Sequence, residues 1–241
     1  MHKNDGCKTS IILPTLNEGE NIFRLVSDLE YFLKPFEIII VDDNSGDKTA
    51  DHAKLLNRKY RNIKFISNYK PLGLTPSIQK GINLAKGEYI AWMDADFSHP
   101  PKTLLKMLKK MDSADIVVGS WLAKNGRDER NEVFSKFFSL LINRICTFLF
   151  DRKITAYTSG FIICRKEIFN HLKLKGDYGE YCIDFLVRAS FLKFRIKEVA
   201  FRCISRSKGV SKTSPNSKVF IKRGLRYLEM IISLFPFILK K

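Results

Sequence analysis

The sequence predicts an α/β fold, a mostly parallel sheet flanked by helices, on three observations. Short β-branched apolar runs alternate with helix-length amphipathic segments through the first half of the chain, the pattern of successive βαβ units. Several of those runs end abruptly in acidic or amide side chains, as strands do when they deliver polar groups to the rim of an open sheet. Finally, 241 residues that are 45% hydrophobic suffice for one full core with an appendage, which argues against two independent domains.

The elements follow in order. Strands are predicted over 10–14, 37–41, 64–67, 89–93 and 116–119, and helices over 21–33, 47–60, 76–85 and 101–111. The third helix carries start and stop signals, with Thr75 as N-cap, Pro76 at its first position and Gly87 just past its end. Pro100 and Pro101 mark the start of the fourth.

The second half breaks this rhythm. Over 131–150, Phe134, Phe137, Phe138, Leu141, Ile145, Phe148 and Leu149 recur at helical spacing. A core helix is the common meaning of such a stripe, but its phenylalanine density also suits a helix lying in a membrane interface. At the C-terminus Lys218, Lys222 and Arg226 fall at i, i+4 spacing, while Phe220, Leu228, Ile231, Ile232 and Phe235 lie on other faces. The apolar run over 230–239 is broken by Pro236 and is too short to span a bilayer, though it can lie on one. No signal peptide or spanning helix is expected, which suggests a protein made in the cytoplasm and attached peripherally to the cytoplasmic side of a membrane.

A formal net charge of +17 and a pI of 9.7 call for an anionic partner: nucleic acid, an anionic membrane surface or a phosphorylated substrate. A nucleic-acid binder would need a basic face with interleaved aromatics, and no such motif accompanies the charge. The five cysteines, Cys7, Cys146, Cys164, Cys182 and Cys203, are scattered without a Cys-x-x-Cys pair, so neither a disulfide framework nor a zinc site is expected. A reducing compartment fits.

The chemistry concentrates at strand ends. The 89–93 strand runs into Asp94-Ala95-Asp96-Phe97-Ser98-His99-Pro100-Pro101. Two carboxylates one residue apart suit Mg²⁺ or Mn²⁺, hard cations held by one or two carboxylates plus substrate phosphates. The competing reading is that Asp94 and Asp96 cap the next helix. Asn17-Glu18 after the first strand and Asp42-Asp43-Asn44-Ser45 after the second can hydrogen-bond a nucleotide base or ribose, or cap helices of their own.

Taken together, these motifs resemble the family 2 glycosyltransferases, specifically the branch that transfers mannose to polyprenyl (dolichyl) phosphate. The resemblance rests on Pro14-Thr15-Leu16-Asn17-Glu18, Asp42-Asp43-Asn44-Ser45, Gly87-Glu88-Tyr89-Ile90 leading into the Asp94 to Pro101 block, Thr158-Ser159-Gly160-Phe161, and Arg206-Ser207-Lys208-Gly209-Val210-Ser211-Lys212. It covers about residues 10 to 212.

The resemblance implies a GT-A fold over 1–212, followed by a basic membrane-associating segment over 213–241, and an inverting transfer from a nucleotide sugar to a polyprenyl phosphate. Pro14, Leu16, Glu18, Val41 and Asp43 would hold the nucleoside. Asp94, Ala95 and Asp96 would meet the diphosphate and its Mg²⁺ or Mn²⁺, with Ser98 a further metal ligand. Arg206 and Lys212 would close over the phosphates, a task that suits a guanidinium's bidentate grip. The implied partners are GDP-mannose, a polyprenyl phosphate, an anionic membrane surface and a membrane subunit. UDP-glucose or UDP-GlcNAc donors and saccharide acceptors are the alternatives.

The chain departs from the family at three places. Trp121 stands where an arginine usually reaches the diphosphate, with Lys124, Arg127 and Arg130 as candidates to replace it. Ala156 and Tyr157 stand where an aspartate often precedes Thr158, and Asp47-Lys48-Thr49 replaces Asp-Gly-Thr. An acceptor phosphate is largely ionised at neutral pH, its second pKa being about 6, so no catalytic base is required. If one acts, Asp184 is a candidate, an acceptor-side or structural carboxylate being the equal alternative.

Overall fold

The computed structural model describes residues 8–208 and 217–239. The chain begins as βαβ units: β1 (Thr9–Thr15), α1 (Gly19–Phe32), β2 (Glu37–Asp42), α2 (Thr49–Lys59), β3 (Ile63–Ser67), α3 (Leu74–Leu84), β4 (Tyr89–Trp92), α4 (Pro101–Leu108) and β5 (Ile116–Ser120). It continues through β6 (Arg127–Glu129), α5 (Val133–Leu149), β7 (Ile162–Arg165), α6 (Tyr181–Phe191), β8 (Ile196–Ala200), β9 (Arg202–Ile204), α7 (Ser217–Ser233) and α8 (Phe235–Leu239). The five predicted strands and the four predicted helices of the first half are all present, displaced by a few residues at their ends.

Seven strands form one sheet in the order β3-β2-β1-β4-β7-β5-β8. All neighbours are parallel except β7, which runs antiparallel to both β4 and β5. A second small sheet pairs β6 with β9. Strands of period 2 sort their side chains onto two faces. Ile12, Ile39, Val41, Ile90 and Trp92 point into the core shared with α3, α5 and α6. Ile11, Leu13, Ile38, Ile40 and Ala91 point into the core shared with α1, α2 and α4. Coverage on both faces explains why β2 reads as an unbroken apolar run and is buried throughout.

Successive strands proceed from β1 outward to β3 and then return to the other side of β1 at β4. This reversal leaves a crevice beyond the carboxyl ends of β1 and β4, the place where open α/β sheets bind ligands.

The opposite end of the sheet is closed by Glu37. Its buried carboxylate accepts hydrogen bonds from Ser10 Oγ at 2.7 Å, Lys86 N at 2.6 Å and Lys64 Nζ, which ties β1, β2, β3 and the approach to β4 together. Ser10 Oγ in turn accepts from Gly87 N at 2.8 Å. Gly87 lies so close that a Cβ there would stand 2.7 Å from the Lys8 carbonyl and the Ser10 nitrogen. This close approach, not a helix stop, is what requires glycine at position 87.

Two capping expectations change. The α3 N-cap is Gly73, with φ of 98°, and Pro76 is the third helical residue. Thr75 lies inside the first turn and donates its hydroxyl to the Tyr178 carbonyl at 3.0 Å. The α4 N-cap is Pro100 with no side-chain cap bond, so Asp94 and Asp96 are not helix caps.

Burial raises the Glu37 pKa, but hydrogen bonds from Lys64, Lys86 and Ser10 outweigh it and hold the carboxyl below its ordinary value of 4.5. A carboxylate with a depressed folded-state pKa stabilises the fold above its unfolded pKa, and that stabilisation is lost as pH falls through the lowered value. Glu37→Leu strands several buried donors. It should lower unfolding free energy by about 2 kcal/mol or more in urea titrations at pH 7, with the gap to wild type narrowing below about pH 4.

Candidate active site

The loops that follow β1 and β2 are laced together before any ligand enters. Asn17 and Asn44 both adopt left-handed backbone, with φ of 53° and 64°, which asparagine tolerates better than most residues. Asn17 Oδ1 accepts from Gly46 N at 2.9 Å, Asn17 N donates to Ser45 Oγ at 2.8 Å, and Glu18 N donates to Thr49 Oγ1 at 2.8 Å. Asp42 accepts from Thr15 and from the Ser45 hydroxyl and nitrogen. Asp42 is therefore a brace within these loops.

Asp43 reaches across to α3. One of its oxygens accepts from Leu72 N at 2.8 Å and Asn68 Nδ2 at 2.9 Å, and the other from Gly73 N at 2.9 Å. An anion at the start of a helix is favoured by the unpaired N–H groups and the dipole there. Asp43 thus behaves as the remote cap of α3 while still lining the cavity described below.

After β4 the chain turns sharply. Phe97 has φ of 69°, an uncommon conformation for a bulky residue, and the Arg24 guanidinium lies 5.1 Å from its ring centroid. Ser98 N donates to Asp96 Oδ1 at 3.0 Å, closing the turn around that carboxylate. His99 is buried and stacked on Phe161 with centroids 4.8 Å apart, and its Nδ1 accepts the Asp94 N–H at 3.0 Å. The Asp-x-Asp-x-Ser-His block is accordingly one folding unit that holds two carboxylates in place. The Asp94 side chain remains 49% exposed, while Asp96 is buried.

Arg206 meets Asp96 and Glu18 at this point. Its Nη2 lies 3.0 Å from Asp96 Oδ2 and its Nη1 lies 3.7 Å from Glu18 Oε1. Ser207 N donates to the Asp96 carbonyl at 2.9 Å, and Asn21 Nδ2 donates to the Lys208 carbonyl at 3.2 Å, which fastens the 205–208 segment over the crevice. The Arg206 Nη1 is buried without a hydrogen-bond acceptor. A buried cationic nitrogen left unsatisfied is poised to take an anion.

These groups line a cavity of about 650 Å³, in the range of small-ligand sites. Pro14, Leu16, Glu18, Asp43, Asp94, Ala95, Asp96, Ser98 and Arg206 all line it. Val41 does not, because its side chain is fully buried in the core. Lys212 lies outside the described residues. Of Lys124, Arg127 and Arg130, only Arg130 lines the cavity, with its guanidinium 5.5 Å from the Trp121 ring centroid and paired with Asp128 at 2.6 Å. Arginine over Trp121 therefore brings a cation to the wall where tryptophan replaces the arginine common in the family.

Asp184 does not reach the cavity. It is buried on α6 and bonded to Arg188 Nε at 2.8 Å, a structural ion pair at i, i+4. Of the two readings of Asp184, base or structural carboxylate, this geometry favours the structural one.

The remaining wall comes from residues that the motifs did not flag. Ser135, Ser139 and Ile142 of α5 face inward, and Asn143 of the same helix orders the 155–160 loop by accepting from Thr158 N at 3.0 Å. Glu198 holds the same loop through Thr155 N, Thr155 Oγ1 and Ala156 N. In the sequence, the polar members of the 131–150 stripe were the available signal.

The fold and the strand-end carboxylates define a glycosyltransferase of the GT-A type. The Glycosyl transferase family 2 model matches residues 10–173, and the chain belongs to that family. It is 33% identical over 211 residues to the dolichol-phosphate mannosyltransferase of Pyrococcus furiosus, an alignment covering 85% of this chain and 59% of that protein. It is 31% identical over 216 residues to the polyprenol monophosphomannose synthase of Mycolicibacterium smegmatis, covering 86% of this chain and 81% of that protein. The chain thus spans about three fifths of the length of the Pyrococcus relative. Among solved structures, glucosyl-3-phosphoglycerate synthase from Mycobacterium tuberculosis, crystallised with Mn²⁺, uridine diphosphate and glucosyl-3-phosphoglycerate, superposes with a TM-score of 0.72 at 14% identity, covering 97% of this chain and 85% of that one. That likeness shows the shared fold.

Asp184→Asn separates structural from catalytic use of that carboxylate. It should lower the melting temperature, since breaking a buried pair costs about 3–5 kcal/mol, yet leave nucleotide affinity unchanged by calorimetry.

Proposed function

We propose that this chain transfers a sugar, mannose from GDP-mannose, to a polyprenyl phosphate with inversion at the anomeric carbon. The observation that carries the reading is a cavity with paired strand-end carboxylates on its floor and two helices in its wall that turn apolar side chains outward. On α5, Phe134, Phe137 and Phe148 are 65%, 60% and 72% exposed. On α7, Ile221, Leu225, Leu228 and Ile232 are exposed as well. Exposed apolar surface of this extent marks an interaction face. A polyprenyl chain leaves a bilayer at a cost of roughly 0.8 kcal/mol per methylene, so an enzyme acting on it must carry its site to the headgroup plane. No helix among the described residues is long and apolar enough to cross a membrane. Attachment through α5 and α7, on the cytoplasmic side, is our reading.

Asp94 and Asp96 fit a divalent cation of the Mg²⁺ or Mn²⁺ class. They offer hard oxygens, one carboxylate half-exposed and the other held by a backbone N–H, with Ser98 beside them. Among the described residues there is no cluster of three or more metal-binding side chains, which matches a cation completed by substrate phosphates. When bound, such a cation supplies Lewis-acid stabilisation of the leaving diphosphate. The relatives named dolichol-phosphate mannosyltransferase and polyprenol monophosphomannose synthase, and the Mn²⁺ of the structural neighbour, support this assignment.

The chain's own residues do the rest. Pro14, Leu16, Glu18 and Asp43 form the nucleoside end, with Val41 behind them. Arg206 exchanges its contacts with Asp96 and Glu18 for the diphosphate, a task the family motif extends to Lys212, outside the described residues. The acceptor phosphate is already anionic, so orientation replaces deprotonation.

Incubation with radiolabelled GDP-mannose, UDP-glucose or UDP-GlcNAc and polyprenyl phosphate, scored by label in the organic phase, tests donor and acceptor together. Mannose transfer is expected, and label reaching only water-soluble saccharide would overturn the reading. Asp96→Ala should leave less than about a tenth of wild-type turnover, because such a ligand is worth several kcal/mol in the transition state. Replacing Phe134, Phe137 and Phe148 with serine should reduce sedimentation with anionic liposomes while nucleotide binding persists. Phe138 is not a suitable target, since it lines the cavity.

A further inference from the structure

Of the six described non-glycine residues with positive φ, five have a local reason for it. Asn17, Asn44 and Asn125 are of the residue type that tolerates left-handed backbone best. Lys34 and Lys193 directly follow the C-caps Leu33 and Leu192 of α1 and α6, where helices commonly end in that conformation. Phe97, with φ of 69°, has neither reason. A bulky side chain in this region costs free energy, and such a residue persists only where its surroundings over-determine it.

The surroundings do so from outside the cavity. Asp94, Asp96 and Ser98 all line the cavity, whereas Phe97, between the last two, does not. Its ring packs against the core shared with α1, α2 and α4, and the exposed Arg24 of α1 covers it with a guanidinium 5.1 Å from the centroid. The chain reverses at this residue, so that Ser98 N donates back to Asp96 Oδ1 and His99 Nδ1 accepts from Asp94 N, both at 3.0 Å. With φ in the ordinary negative range the residues after 97 would leave in another direction, and both bonds would open.

We infer that Phe97 is a positioning residue: its ring, held against the core and under Arg24, offsets the cost of the left-handed backbone that sets Asp96 and Ser98 beside Asp94. The inference rests on the reading of these groups as the divalent-cation site of the proposed transferase. A hard cation binds well only where its oxygens are already held within about 0.5 Å of their places, so a residue that never touches it can govern its affinity. Phe97 contributes the placement of the ligands, not a ligand.

The test uses the full chain with Mn²⁺ as the probe, its free concentration read by electron paramagnetic resonance in the presence of GDP or UDP. Positioning through the backbone sets the order of variants by their tolerance of positive φ. Phe97→Gly and Phe97→Asn should hold Mn²⁺ within about threefold of wild type, Phe97→Ala should weaken it about tenfold, and Phe97→Val should weaken it further. Phe97→Tyr, which keeps the ring, should match wild type. A merely structural role gives the reverse order, with the apolar valine closest to wild type and the polar asparagine furthest from it. Arg24→Gln, at an exposed position where the fold is not at risk, should weaken Mn²⁺ about threefold, with circular dichroism checking that every variant is folded. The packing order in Mn²⁺ affinity, or unchanged affinity in both Phe97→Ala and Arg24→Gln, would overturn the inference. If wild type transfers sugar while its variants follow the packing order, the positioning role fails and the proposed function stands. If the variants rank by tolerance of positive φ but no preparation transfers sugar, the positioning role stands and the proposed function fails. A wild type that binds no Mn²⁺ with either nucleotide overturns the cation site and the inference with it.

Discussion

Among the six acidic residues that line one cavity, Glu18, Asp43, Asp94 and Asp96 gather at the strand ends, and the surrounding structure is arranged to make that concentration of negative charge tolerable. Each is handled differently. Asp43 is satisfied by the N–H groups at the start of α3, where the helix dipole favours an anion. Glu18 and Asp96 share the guanidinium of Arg206. Asp94 stays half-exposed toward the cavity, with its backbone pinned by His99. The neutralisation is partial, which on the proposed reading leaves room to exchange a protein cation for a metal cation and its phosphates.

The same constraint explains the placement of positive charge. A net charge of +17 could have been spread evenly, yet cations are drawn to this cavity from three separate parts of the chain: Arg130 beside β6, Arg206 after β9, and Lys222, Arg223 and Arg226 on α7. The four arginines are each oriented by a neighbour. Asp128 and Trp121 hold Arg130, and Asp177 holds Arg226. On the proposed reading, substrates that bring two or more phosphate groups together would meet opposing charge here in a site partly closed to water.

The site is also continuous with the outer surface. Helices α5 and α7 each divide their residues between a cavity face and an exposed apolar face, Ser135 and Ser139 against Phe134 and Phe137 on the first. Two-faced helices of this kind separate a polar cavity from an exposed apolar surface by the thickness of a single helix. Loop 176–180 is bound to α3 on one side and α7 on the other.

The sequence by itself determined the α/β alternation, the strand ends that carry the carboxylates and the Phe-rich helix, because all of these are local. Period, propensity and turn residues act over a dozen positions, and Asp94 and Asp96 could be placed at a strand end from the apolar run before them. Distant contacts were decided only by the tertiary structure. The antiparallel insertion of β7 between β4 and β5 depends on pairings far apart in sequence, and a four-residue strand carries no sign of its direction. Gly87 resembles a helix stop but serves close strand packing, and Thr75 resembles a cap but bonds to Tyr178. Asp184 resembles a free acid until Arg188 is found beside it, and Arg130 is distinguished from Lys124 and Arg127 only by the stacking surface of Trp121. The direction of α7's basic face was likewise hidden, since a helical wheel shows which residues share a face but not whether that face meets solvent or a cavity. That outcome depends on which surface covers the helix, and the covering surface is assembled from residues more than a hundred positions apart.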